Sequence, residues 1–170
     1  EIAGLTLGLV AAGLIVTFII IAVKLVRRPL TGSNGLLLLG IRYAVATTML
    51  AFAAGVLMSI NQDRVVGSAG SLLPLHALGF HGLQAVPLVA LLLARSTVPP
   101  DRARRWVHLA GSLWIVACLA VAWQTALGRS VGELAVATAI AAVVLAAWAL
   151  VAMQALLAWR RRPPTSVVAS

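Results

Sequence analysis

The sequence predicts an all-α integral membrane protein, a bundle of five transmembrane helices with the N-terminus outside and the C-terminus cytoplasmic. Three observations lead there. The chain is 62% hydrophobic and only 10% charged, with a mean hydropathy of +1.05, whereas about a quarter of the residues of a soluble domain are charged. Its apolar residues gather into five runs, each long enough for the roughly 20 residues that a helix needs to cross about 30 Å of hydrocarbon. Its basic residues fall between those runs in clusters that alternate in weight from one loop to the next.

Taken in order, the first span covers 2–23 and holds no charge after Glu1; its Gly4 and Gly8 form a GxxxG pattern suited to close helix approach. Lys24, Arg27 and Arg28 end it, and Pro29 to Gly35 is rich in turn-forming residues. The second span, 36–60, carries Arg42 and Tyr43 one to two turns inside its start. A guanidinium at that depth is explained by snorkelling to the headgroups, with Tyr43 in the aromatic belt, or by a buried functional role. A polar loop with Asp63 and Arg64 leads to the third span, 72–94, whose Pro74 is tolerated in the first helical turn because the amides there lack partners anyway.

Pro99 and Pro100 break the chain before the fourth span, 106–127, where Trp106 and Trp123 stand near the two ends and Trp114 and Cys118 lie deeper as packing residues. The fifth span, 134–159, is rich in alanine and suited to close packing. Residues 1–162 thus read as a single transmembrane domain, and 163–170 as a flexible tail.

Lys24, Arg27, Arg28, Arg42, Arg95, Arg102, Arg104, Arg105 and Arg160 to Arg162 fall on one side of this topology, against Arg64 and Arg129 on the other. The positive-inside rule makes the richer side cytoplasmic. An N-out start with no signal sequence, on Glu1 rather than methionine, points to an earlier span outside this sequence and so to a piece of a six-span protein. The net charge of +9 belongs to these clusters and not to nucleic-acid binding.

Chemistry concentrates in LHALGFHGLQAVP, Leu75 to Pro87. His81 lies near the bilayer midplane, and His76 nearer the outer interface, at the mouth of any site. Five positions apart, they point about 140° away from each other, which argues against a chelating pair. His81 and Gln84 share a face, Pro87 leaves the Leu83 carbonyl free and kinks the helix, and Gly79 and Gly82 make room for a neighbouring helix or a planar cofactor. These features outline a polar site of His81, Gln84, His76 and Arg42 for haem, a metal or a quinone; ordinary interhelical hydrogen bonding is the competing explanation. There is no HExxH, GxSxG or Walker loop, and no carboxylate within a span. A lone cysteine forms neither an intrachain disulfide nor a CxxC site. The leading expectation is therefore an intramembrane ligand or cofactor site. An accessory or scaffold subunit, associating with other membrane subunits or with itself, comes next, and a small-solute transporter third.

The stretch GSLLPLHALGFHGLQAVPL resembles the pattern G-x-L-x-x-x-H-x-x-G-x-H-x-L-Q-x-x-P-L of a group of uncharacterised bacterial multi-pass membrane proteins. Gly70, Leu72, His76, Gly79, His81, Leu83, Gln84, Pro87 and Leu88 carry the likeness. A fainter one, at Asn34 and Gly40 to Tyr43, puts Arg42 and Tyr43 in the places of a Lys and a Phe, with Gly35 departing from a proline and Ser71 from an acidic residue. The resemblance implies a polytopic protein of a bacterial plasma membrane and no particular activity.

Overall fold

The computed structural model describes residues 2–32 and 34–161, the side chains of Ile2, Ala3, Leu5 and Leu7 excepted. The tail expected at 163–170 lies outside the described residues. The chain is all-helical in its long elements: α1 (Ile2–Arg27), α2 (Gly35–Asn61), α3 (Leu73–Ala94), α4 (Pro100–Ala126) and α5 (Val136–Arg160). All five are long and apolar enough to cross a membrane, and the protein is multi-pass on that account.

The boundaries follow local chemistry. α3 takes Pro74 into its first turn. α4 starts at Pro100, well ahead of the apolar run, because a proline at the first helical position sacrifices no hydrogen bond and Asp101 suits the positive end of the helix. The added turns bury Ala103, which joins Val107 in a cluster with Leu93 of α3 and Ala155 of α5. The loop at 61–72 holds a feature that its polar composition did not announce, two short antiparallel strands, β1 (Val65–Val66) and β2 (Gly70–Ser71), paired Val65 to Ser71 and Val66 to Gly70. Gly67, at φ +64°, makes the turn, and Ala69 N–H donates to the Gly128 carbonyl at 3.0 Å, fastening this cap to the loop between α4 and α5.

α2 and α3 form the most extensive contact, α4 lies against both, and α5 packs on α4 and α3. Small residues set these distances. A Cβ on Gly79 of α3 would come 2.6 Å from the Thr47 carbonyl oxygen and 2.8 Å from the Ala51 side chain of α2. One on Gly40 of α2 would come 2.8 Å from Ala90 and 3.2 Å from the Cα of Pro87. Gly82 likewise receives Thr47 and the Trp114 indole, and Gly111 of α4 receives the ring of Tyr43. The room left by Gly79 and Gly82 is thus filled by a neighbouring helix. α3 runs unbroken through Pro87.

α1 stands apart. It touches α2, and side chains around most of its girth are exposed, Leu9, Leu14 and Ile20 among them. Gly4 and Gly8 have no atom of another element near the position of a Cβ, so the GxxxG pattern makes no close approach within this chain.

These contacts give a contrast to measure. Gly79→Ala forces two helix backbones apart and should cost about 1–3 kcal/mol, as overpacking does, seen as a lower unfolding temperature in detergent. Gly8→Ala should stay within about 0.5 kcal/mol of the parent. Equal effects from the two would contradict the packing described.

Candidate functional site

The four polar residues singled out from the sequence are placed in three separate surroundings. His76 is half-buried on the side of α3 that faces α2 and α1. Its Nδ1 lies 2.8 Å from the Ala51 carbonyl oxygen; a carbonyl only accepts, so Nδ1 carries the proton and Nε2 keeps its lone pair. Gly55, one turn beyond Ala51, makes this contact possible, since a Cβ there would stand 3.0 Å from the imidazole Cε1.

His76 lines a crevice of about 460 Å³ between α1, α2 and α3, within the size range of small-molecule sites. Its walls are apolar or small, with Ala11 and Ile15 from α1, Phe52 and Gly55 from α2, and Phe80 from α3; Ser59 is the other polar side chain. The aromatic rings form an edge-to-face series. Phe18 meets Phe52 at 5.3 Å, Phe52 meets Phe80 at 5.2 Å, and Phe80 meets the His76 imidazole at 4.8 Å, all within the favourable range for such pairs. Beyond the Phe18–Phe52 contact, the seam between α1 and α2 opens into a second apolar groove of about 340 Å³ beside Ile19, Val23, Val45 and Met49.

His81 and Gln84 face the other way. Both are exposed, with His81 Nδ1 3.2 Å from Gln84 Oε1. They line neither space. The divergence of about 140° expected for positions five apart on a helix separates His81 from His76, and the two imidazoles share no site.

Arg42 forms the third surrounding. Its Nη2 donates to the Arg28 carbonyl just past the end of α1, so the guanidinium caps that helix end. Its Nε is buried without a hydrogen-bond partner. Near the same end, the Tyr43 hydroxyl lies 2.9 Å from His108 Nδ1 and joins α2 to α4. Composition pointed to Tyr43 as a belt residue; the notch at Gly111 that turns it inward was not readable from spacing along the chain.

Among the described residues, no three His, Cys, Asp or Glu side chains converge as a metal site would require. Cys118 is a free thiol buried between helices.

The Arg42 contact is open to test. Arg42→Leu removes a charge-assisted hydrogen bond worth roughly 1.5–3 kcal/mol. Hydrogen exchange at 25–30 should quicken while exchange in α2 and α3 stays the same; unchanged exchange at 25–30 would show that α1 is held by other means.

Compared with known protein families, curated proteins and solved structures, the chain matches none.

Proposed function

We propose that this chain binds a hydroxyl-headed isoprenoid lipid of the quinol class in the crevice between α1, α2 and α3. The observation that carries the reading is the hydrogen bond between His76 Nδ1 and the Ala51 carbonyl. With Nδ1 committed to the Ala51 carbonyl, the imidazole offers a bare Nε2 acceptor in a wall that is otherwise almost wholly apolar. Such a site suits a molecule with one O–H donor and much hydrocarbon. His76 is the fourth residue of α3, about 4–5 Å along the helix, where the polar head of a membrane amphiphile resides. A second apolar groove lies along the α1–α2 seam on the far side of the Phe18–Phe52 contact and offers further surface to hydrocarbon.

Chemistry selects among the ligands expected from the sequence. Structural metals need converging ligands, and His76 stands in the crevice without a second imidazole, thiolate or carboxylate among the residues that line it. An oxidised quinone presents carbonyl acceptors, which the Nε2 lone pair repels. A quinol presents the donor that Nε2 accepts. The site therefore favours the reduced form, through hydrogen bonding and apolar contact. A transporter reading finds little support, because the charged side chains sit near the helix ends and in the loops.

The same proposal places the protein in a bacterial plasma membrane, with the end that carries Lys24, Arg27, Arg28, Arg95, Arg102, Arg104 and Arg105 in the cytoplasm and the N-terminus of α1 outside. Its support is the distribution of positive charge over the short loops, and it puts the mouth of the crevice in the outer leaflet.

Equilibrium binding of a decyl-chain benzoquinol and its quinone to the purified protein, under anaerobic conditions, tests the ligand class. The quinol should bind more tightly than the quinone, and His76→Leu should weaken quinol binding by roughly tenfold, the worth of one hydrogen bond, while leaving quinone binding nearly level. Equal affinity of the parent for both redox forms, or no loss in His76→Leu, would overturn the assignment.

A further inference from the structure

The outward side of α3 poses a different problem from the crevice. Leu73, Ala77, His81, Gln84 and Leu88 are all exposed and, at spacings of four, four, three and four residues, they form one stripe along the helix. Leu73 and Leu88 are 48% and 52% exposed at its two ends. Other faces of α3 are occupied by α2, α4 and α5. This stripe is left to the surroundings. Its centre holds two amphoteric polar side chains about half-way along a 22-residue span, at a depth where no water is available to satisfy them.

We infer that this stripe is the contact through which two copies of the chain associate, with His81 and Gln84 of one copy hydrogen-bonded to Gln84 and His81 of the other. The internal bond from His81 Nδ1 to Gln84 Oε1, at 3.2 Å, uses one donor and one acceptor. What remains facing outward is the Nε2 lone pair of the histidine, an acceptor, and the amide N–H groups of the glutamine, which are donors. If the histidine tautomer and the amide orientation are both reversed, the remaining groups exchange roles and the patch still presents one donor site and one acceptor site. A surface with both halves of an interaction is complementary to itself, as a two-fold contact requires.

Geometry in the bilayer favours the same occupant. Every copy is inserted with one orientation, so a two-fold axis lies along the membrane normal and brings residues of equal depth together. Helical side chains lean toward the N-terminus. Gln84 therefore carries its amide back to the level of the His81 ring, where the 3.2 Å contact finds it, and both halves of the bond across the axis lie at one depth. Ala77, one turn before His81 on the same stripe, is small enough for the two α3 helices to approach closely. A foreign helix would need a matched donor and acceptor at that level; a second copy brings them.

Disulfide trapping in phospholipid vesicles reads this contact directly. The full chain with A77C, oxidised with copper phenanthroline, should form a covalent homodimer, and V143C, at a position 68% exposed on α5, should not. The unsubstituted chain, whose Cys118 is buried, controls for the native thiol. Adding His81→Leu and Gln84→Leu, which make the span more apolar and leave insertion favourable, should raise the dimer dissociation constant, followed by energy transfer between labelled copies on dilution into lipid, by roughly tenfold. Trapping no stronger at 77 than at 143, a cross-link to a chain of another mass, or a dissociation constant indifferent to the leucine pair would each overturn the proposal. Quinol binding at His76 is measured separately and stands or falls on its own.

Discussion

The closeness of α2 and α3 is the constraint from which the other positions follow. Gly40, Gly79 and Gly82 remove the side chains that would hold these helices apart, and Thr47, Ala51 and Ala90 fill the space. In lipid there is no hydrophobic drive to bring one apolar helix to another, so association relies on contacts of this kind. They also fix rotation. Once Gly79 and Gly82 must meet α2 and Trp114, the phase of α3 is set. His76 and Phe80 then fall on the side toward α1, while His81 and Gln84 fall outside.

A second constraint is the satisfaction of polar groups away from water. Thr47 and Thr48 donate to the carbonyl of Ala44, Trp114 Nε1 donates to the carbonyl of Leu78 at 3.1 Å, and Thr125 donates to that of Ser71 at 3.0 Å. Each bond disposes of a donor; those of Thr47 and Thr48 stay within α2, while those of Trp114 and Thr125 join α4 to the body and cap of α3. Among the described residues, three buried side-chain atoms lack partners, Arg42 Nε, Gln124 Oε1 and Trp148 Nε1. Two of them belong to side chains that are bonded through another atom, Arg42 Nη2 and Gln124 Nε2. The His81 and Gln84 pair differs from all of these because its spare groups are exposed on the outer surface and not sealed inside.

The spans were legible because length and hydropathy suffice to find them, and all five helices overlap the runs read from the sequence. Helix phase was not. A soluble helix shows its packed face by the contrast between apolar and polar residues, but the lipid-facing and buried faces of these helices are both apolar, and the periodicity carries almost no signal. Hence the separation of His76 from His81 was readable as an angle, but not which of them looks inward. The hairpin at Val65 to Ser71 was hidden for another reason. Its two-residue strands are too short to show a pattern, and its attachment to Gly128 joins residues far apart along the chain. Arg42 was readable as a residue that must reach out of the hydrocarbon, and its acceptor, the Arg28 carbonyl, only became visible once α1 and α2 were set side by side.

Unequal attachment of the helices gives the crevice its character. α2, α3 and α4 are held by interlocking small residues, whereas α1 lies along α2 with most of its girth exposed. One wall of the crevice is therefore rigid and the other is supported chiefly by the Phe18–Phe52 contact and by Arg42 at the basic end. A change in the spacing of α1 alters the width of the space without disturbing the packing that orients His76. The imidazole is fixed by Ala51 and Gly55, both on the rigid side. On the proposed quinol reading, hydrogen-bond specificity belongs to the fixed wall, and accommodation of differing hydrocarbon chains to the loose one.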